Sequence, residues 1–170
     1  MFRIIRDDIT RVKADAIVNS AAPEPVIGGR TEGEIYFAAG LDKLLDERKK
    51  IGRIQPGQAC ISPAFDLPAE YVIHTVAPVY TDGCSGEEET LRSCYRECLK
   101  LALKYKCESI AFPLLASGAY RYPKEEALRA ASEEIRSFLS SSGDELEVIL
   151  VVYDNESTRL SGQFYEGLES

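Results

Sequence analysis

The sequence predicts a single α/β domain whose mostly parallel or mixed sheet is covered by helices on both faces. Short apolar runs alternate along the chain with segments in which apolar residues recur at the helical period. The last apolar run, residues 146–153, is almost entirely Val, Ile and Leu, which is typical of a strand buried on both faces. A chain of 170 residues suits one domain, and no repeat or linker interrupts it, so residues 1–170 are predicted to form one unit.

The predicted strands are short apolar runs bounded by polar residues, prolines or glycines. In chain order they are residues 2–5, 14–19, 58–64, 71–76, 109–115 and 146–153. A Pro/Gly-rich loop, residues 23–29, follows the second of them.

The helical segments lie between these strands. Residues 31–50 are helical in character with an interruption at Gly40, and residues 87–106 predict a long amphipathic helix. The apolar stripe of that long helix consists of Leu91, Cys94, Tyr95, Cys98, Leu99 and Ala102. Pro123 opens a further helix, at a position where proline is tolerated. Its buried stripe would be Ala127, Ala131, Ile135, Phe138 and Leu139. Asp154 or Asn155 is suited to cap a short helix at the end of the chain.

The charge balance restricts the partners. Lys and Arg total 20 against 28 Asp and Glu, so the net charge is −8. Nucleic acid and anionic membranes are held by cationic side chains, and we therefore expect neither as a partner. The charged N-terminus does not resemble a signal peptide, and no apolar run approaches the length of a membrane span. Five cysteines without paired spacing favour reduced thiols and a cytoplasmic location.

Two loops lead from a predicted strand into a predicted helix. The first runs from Asn19 through Gly28 and Gly29, and the second runs from Leu115 through Gly118 to the next helix. Ligands of α/β folds bind beyond the carboxyl ends of strands, where backbone N–H groups and helix N-termini can hold a diphosphate. Neither loop matches the Rossmann or P-loop pattern, so ordinary turn glycines remain an alternative.

Five segments in the same order resemble motifs of the macro domain family, in particular its bacterial O-acetyl-ADP-ribose deacetylases and mono-ADP-ribosyl hydrolases. The similar segments are DDIT at 7–10 with DAIVN at 15–19, GGRTEGEI at 28–35 closing on AAG at 38–40, LPA at 67–69 with YVIHTV at 71–76, SIAFP at 109–113, and SGAY at 117–120. The resemblance covers nearly the whole chain. It implies a three-layer α/β/α fold around a mixed six-stranded sheet.

The resemblance also implies binding roles for particular residues. Asp8 would accept a hydrogen bond from the adenine amino group, with the backbone of Ile9 beside it, and Tyr153 would pack on the adenine face. Asn19 would lie near the distal ribose. The residues expected at the diphosphate and the distal ribose are Gly28, Gly29, Ser117, Gly118, Ala119 and Tyr120.

The chain departs from the family pattern around the expected distal ribose. Ala22 replaces an asparagine, and Glu32 replaces an acidic residue that is often aspartate and is often assigned to activating water. We therefore take Glu32 and Asn19 as the candidate catalytic residues. Glu32 is one methylene longer than aspartate, and a displacement near 1 Å can lower the rate roughly 100-fold. The alternative is an acidic residue that only stabilises a helix N-terminus.

Arg30 and Arg121 are a second departure from the family pattern, one in each loop: Ile27 and Arg30 break its glycine run, and Arg121 stands where its second loop usually has glycine. Our hypothesis is that they reach a phosphate or carboxylate from opposite sides, although solvated surface arginines are an equal alternative.

The remaining reactive residue types favour structural roles. His74, the only histidine, alternates within a strand and has no partner motif, so a structural role is expected. Cys94 and Cys98 fall on an apolar helix stripe, where core cysteines are expected. We predict no metal site and no cofactor.

The resemblance implies a protein that binds ADP-ribose. The leading expectation is a metal-independent hydrolase that cleaves O-acetyl-ADP-ribose or mono-ADP-ribosylated acidic side chains. A non-catalytic module that recognises ADP-ribose and a phosphatase acting on ADP-ribose-1″-phosphate are the alternatives. The expected partners are ADP-ribose and ADP-ribosylated proteins or metabolites.

Overall fold

A computed structural model describes residues 1–143 and 145–166 of the chain. The strands are β1 (Phe2–Arg6), β2 (Ala16–Ser20), β3 (Ala59–Pro63), β4 (Tyr71–Thr75), β5 (Ser109–Pro113) and β6 (Glu147–Val152). The helices are α1 (Arg30–Ala39), α2 (Leu41–Ile51), α3 (Glu87–Lys104), α4 (Lys124–Ser142) and α5 (Asn155–Ser161), with a 3-10 turn at Ile9–Arg11.

The strands form one mixed six-stranded sheet in the order β1-β6-β5-β2-β4-β3. All neighbouring strands are parallel except the edge strand β3, which runs antiparallel to β4. This arrangement confirms the predicted mixed sheet.

Alternate residues of the strands enter two separate cores. In β6, Val148 and Leu150 pack with α3, α4 and α5, whereas Ile149 and Val151 pack with α1 and α2. Because successive side chains of a strand point to opposite faces, one strand contributes to both cores. The predicted three-layer α/β/α architecture is therefore confirmed.

Several local predictions are also confirmed. Gly40 has φ of 102° and separates α1 from α2. The predicted stripe of α3 is fully buried, as is that of α4 except for Phe138, which is partly buried. Asp154 caps α5 by accepting a hydrogen bond from the Ser157 N–H at 2.8 Å. The prediction for Pro123 is wrong by one position: we expect it to be the first helical residue of α4, whereas it is the N-cap residue just before the helix.

The loop before α3 is built around Glu87, which is 3% exposed. Its carboxylate accepts backbone N–H groups from Thr81, Asp82, Gly83 and Ser85. These bonds, led by that from Gly83, lower the pKa of Glu87 to about 2. The carboxylate is therefore charged at neutral pH.

The topology creates a crevice at one edge of the sheet. β1, β2, β5 and β6 are parallel, so their carboxyl ends meet at the same edge. After β2 the chain enters α1 on one face, and after β5 it enters α4 on the other face. Neighbouring strands whose connections leave to opposite faces open the crevice in which α/β folds bind ligands.

Candidate functional site

A cavity of about 700 Å³ occupies this crevice. Its walls are the segments that follow β1, β2, β5 and β6, together with the first turn of α1. The predicted site residues in its lining are Asp8, Ile9, Gly28, Gly29, Arg30, Glu32, Ser117, Gly118, Ala119, Tyr120 and Tyr153. Asn19 and Arg121 are not among the lining residues.

One end of the cavity carries Asp8 and Tyr153. The Oδ1 atom of Asp8 accepts two hydrogen bonds from Thr10, from Oγ1 at 2.7 Å and from N–H at 2.9 Å. The hydroxyl bond is the main reason that the pKa of Asp8 lies below its usual value. Asp8 is therefore an ionised acceptor. The ring of Tyr153, 66% exposed, stands at the rim and can cover a planar group.

The loop after β5 has a strained backbone. Ala116 and Arg121 have φ of 68° and 63°, in the left-handed region that favours glycine. The Arg121 N–H closes the turn on the Gly118 carbonyl at 3.0 Å, and the Ser117 hydroxyl donates to the Leu114 carbonyl at 3.0 Å. The family's glycine at position 121 thus corresponds to a backbone conformation that arginine adopts here at some cost.

Glu32 lies in the first turn of α1 and is 1% exposed. Its Oε1 accepts the N–H of Gly28 at 2.7 Å and the N–H of Ala22 at 3.2 Å. Its Oε2 accepts Nδ2 of Asn19 at 2.9 Å. The carboxylate therefore ties both ends of the 22–28 loop to the end of β2.

Burial raises the pKa of Glu32, against the opposing effect of the Gly28, Asn19 and Ala22 hydrogen bonds and the charge of Arg48. The neighbouring Tyr36 phenol has a pKa raised to about 12, chiefly by burial and then by the charge of Glu32. A buried carboxylate at a cavity wall with a raised pKa is a typical arrangement for acid–base chemistry.

Arg48 supports the first cavity loop and was not predicted from the sequence. It is fully buried, and its Nη2 donates to the carbonyls of Ala22 at 2.8 Å and Pro23 at 2.9 Å. Its Nη1 donates to the Gly52 carbonyl. Arg48 therefore fixes the backbone of residues 22 and 23 from the buried side of the loop. Its place in the charged run DERKK gave no signal, because such runs are normally solvated.

Asn19 and His74 are register partners on β2 and β4, and both are fully buried. Nδ2 of Asn19 lies 3.1 Å from Nδ1 of His74, and Nε2 of His74 lies 3.0 Å from the Ser62 hydroxyl on β3. Burial, aided by the charge of Arg48, lowers the pKa of His74 to about 3, so the imidazole is neutral. A polar chain thus connects Ser62 to Glu32 beneath the cavity.

The two candidate arginines differ in position. Arg30, whose side chain is 82% exposed, lines the cavity and pairs with Glu34 at 3.4 Å. Arg121 is exposed and lies outside the lining. A further cation in the lining, Lys124, was not predicted, and its Nζ lies 3.1 Å from Asp154.

Cys94 and Cys98 are buried in the core as predicted, and the five thiols of the chain are free. Within residues 1–143 and 145–166, no three side chains of the His, Cys, Asp and Glu types are grouped to hold a metal. No helix in the same ranges has the length and apolarity to cross a membrane.

The fold and this cavity define a three-layer α/β/α ligand-binding domain. Comparison with known families gives a match to the Macro domain over residues 18–131. The chain belongs to the macro domain family.

Related proteins match almost the whole chain. A macro domain-containing protein of Methanosarcina mazei is 42% identical over 157 residues, which are 92% of this chain and 83% of the relative. An O-acetyl-ADP-ribose deacetylase of Citrobacter rodentium is 40% identical, with 92% of this chain and 90% of the relative covered. Among solved structures, the Trypanosoma brucei macrodomain in complex with ADP-ribose is 34% identical with a TM-score of 0.88, covering 95% of this chain and 68% of the other.

Proposed function

We propose that this protein binds ADP-ribose in the cavity and hydrolyses esters of ADP-ribose, with O-acetyl-ADP-ribose and ADP-ribosylated acidic side chains as the substrate classes. The observation that carries the proposal is one cavity lined at one end by Asp8 and Tyr153, in its walls by both glycine loops, and elsewhere by Glu32. The similarity to proteins named O-acetyl-ADP-ribose deacetylase supports it.

Each part of the ligand has a matching group in the lining. A volume near 700 Å³ lies within the range of about 300–1,000 Å³ for small-molecule sites. The ionised Asp8 accepts from the adenine amino group, and Tyr153 stacks on the base. The loop 117–120 wraps the diphosphate through backbone N–H groups, which places the distal ribose toward Gly28 and Glu32.

Glu32 supplies the general base. A carboxylate offers about four lone-pair positions, and the Gly28, Ala22 and Asn19 donors use three of them, two on Oε1 and one on Oε2. The remaining position on Oε2 can orient one water molecule. That water attacks the ester carbonyl while its proton passes to Glu32. The bond from the carbonyl carbon to the ribose oxygen then breaks, and Glu32 returns the proton to that oxygen, which releases the acid and ADP-ribose.

A non-catalytic module that recognises ADP-ribose is the second candidate. It is favoured by the engagement of both Glu32 oxygens with internal donors, because a carboxylate used to hold a loop together is a poorer base. Ala22 also offers no side-chain amide to the ribose.

Calorimetric titration with ADP-ribose and a turnover assay with O-acetyl-ADP-ribose test the proposal. We expect wild type to bind and to turn over, Glu32→Gln to bind with turnover reduced about 100-fold, and the exposed control Glu97→Gln to match wild type. Binding without turnover in wild type would establish the recognition module. Absence of binding would refute both functions.

We also propose that the protein acts in the cytoplasm and that its partner is an ADP-ribosylated protein or metabolite. Five free thiols support a reducing compartment such as the cytoplasm of a bacterium. The net charge of −8 supports an ADP-ribosylated protein or metabolite as partner, in preference to nucleic acid or an anionic membrane.

A further inference from the structure

A chain of four buried side chains crosses three strands and reaches the cavity wall. It runs from Ser62 on β3 through His74 on β4 and Asn19 on β2 to Glu32 on α1, with contacts of 3.0, 3.1 and 2.9 Å. None of the four side chains is more than 3% exposed. In the proposed function only Glu32 touches reacting atoms. Asn19, a candidate catalytic residue from the sequence, is fully buried and does not line the cavity, and Ser62 and His74 have no role in that function.

The contacts permit two directions of hydrogen bonding. In the forward direction, Nδ2 of Asn19 donates to an ionised Glu32 and to Nδ1 of His74. His74 then carries its proton on Nε2, which donates to the Ser62 hydroxyl, and that hydroxyl donates to the Pro63 carbonyl at 3.2 Å. In the reverse direction, the Asn19 amide is flipped, Glu32 is protonated, and His74 carries its proton on Nδ1.

Satisfaction of buried donors favours the forward direction. In the forward direction, the Asn19 Oδ1 is the atom of these four side chains that has no hydrogen-bond partner among the described residues. In the reverse direction, the flipped Asn19 amide would bury its two N–H donors at the same place without acceptors. Buried unpaired N–H groups are rarer in proteins than unpaired carbonyls.

We propose that His74, held by Ser62, is a positioning residue that fixes the Asn19 amide with Nδ2 toward Glu32. It thereby keeps the Glu32 carboxylate ionised, with one free lone pair at the cavity wall. The catalytic part of this inference rests on the proposed hydrolase function, whereas the direction of the chain does not.

Charged and titratable groups pack around the chain from every side. The charge of Arg48 on α2 acts to lower the pKa of both Glu32 and His74, which favours the ionised carboxylate and the neutral imidazole; for Glu32 it opposes burial, which raises the pKa. Tyr36 on α1 and Tyr120 in the second loop have raised pKa values and stay neutral, and so does Cys60, the register partner of His74 on β3.

The test uses the fact that His74 is the only histidine of the chain. A long-range proton–nitrogen NMR spectrum of the ¹⁵N-labelled protein contains one imidazole pattern, which distinguishes the two neutral tautomers and the charged form. We expect the Nε2-protonated tautomer from pH 8 to pH 5. The Nδ1-protonated tautomer, or a charged ring in that range, would overturn the inference whether or not the protein turns over any ester.

Ser62→Ala and Ser62→Thr test the positioning role. Ser62→Ala removes the acceptor at Nε2, so we expect a mixture of tautomers, a higher titration midpoint of the Glu32 carboxyl by ¹³C NMR, and kcat about tenfold lower with KM unchanged. Ser62→Thr keeps the hydroxyl and restores the wild-type values. Ser132→Ala, which removes a buried hydroxyl of α4 without a partner in the described chain, is the matched control. An unchanged tautomer and Glu32 midpoint in Ser62→Ala would overturn the positioning role.

Discussion

Replacing Arg48 with methionine is the sharpest test of how the first cavity loop is held. Arg48 is fully buried and donates to the carbonyls of Ala22, Pro23 and Gly52. Methionine fills a similar volume without donors. The Pro23 carbonyl retains the Ile54 N–H at 2.9 Å, whereas those of Ala22 and Gly52 lose the Arg48 bonds.

The magnitude follows from these two carbonyls. A fully buried acceptor left without a partner costs about 1–3 kcal/mol, so about 2–6 kcal/mol is an upper bound for these two carbonyls of half-buried residues. Relief from burying a cation offsets part of it. We expect a net destabilisation of about 3 kcal/mol, which at about 2–4 °C per kcal/mol for a domain of this size lowers Tm by roughly 6–12 °C.

Thermal unfolding followed by circular dichroism or calorimetry measures this change. The matched control is Arg53→Met, because Arg53 forms an exposed pair with Glu24 in the same loop, and such pairs contribute about 1 kcal/mol or less. A Tm within about 2 °C of wild type for Arg48→Met would refute the reasoning. So would an equal loss in the control.

Three further outcomes follow from single contacts. Gly28→Ala places a methyl group 3.2 Å from the Glu32 carboxylate and should lower stability by about 1 kcal/mol, whereas Gly29→Ala meets nothing within 4 Å and should be neutral in unfolding assays. Folding lowers the pKa of Glu87, so the ionised carboxylate stabilises the fold fully above pH 4.5 and progressively less toward pH 2. The Tm difference between wild type and Glu87→Gln should therefore shrink as the pH falls over that interval. A constant difference would contradict this. Arg30→Ala should weaken ADP-ribose binding and its salt dependence, and Arg121→Ala should change neither; equal effects in calorimetry would contradict the placement of the two arginines.

The layers of the fold could be predicted because the spacing of apolar residues within a short segment indicates both its secondary structure and which of its faces are buried. The run 146–153 is apolar on both faces, and β6 does contribute to both cores. The stripe of α3 was equally clear. Boundaries were less certain, and Pro123 shows why: the same φ suits the residue just before a helix and the first residue within it.

The site was less predictable because it depends on which side chains meet across the sheet. The two glycine loops and Glu32 could be placed at one edge from strand direction alone. Arg48 could not, because its burial depends on the carbonyls of Ala22 and Pro23 in a distant segment as well as on that of Gly52 at the end of its own helix. His74 was expected to be structural, and its contacts with Asn19 and Ser62 depend on the register of β2, β3 and β4, which the sequence does not specify.

The two departures at positions 22 and 32 are in direct contact, because the Ala22 N–H donates to Glu32. A methyl group on Gly28 would lie 3.1 Å from the Ala22 Cβ and 3.2 Å from the Glu32 Oε1, so these three residues already fill their shared space. A larger side chain at position 22 would compete for that space, whereas the extra methylene of Glu32 lets one carboxylate reach both the Ala22 and the Gly28 N–H. Shortening Glu32 alone should therefore release one end of the loop. A loss of turnover in Glu32→Asp can be assigned to catalysis only if its Tm and its affinity for ADP-ribose remain those of wild type.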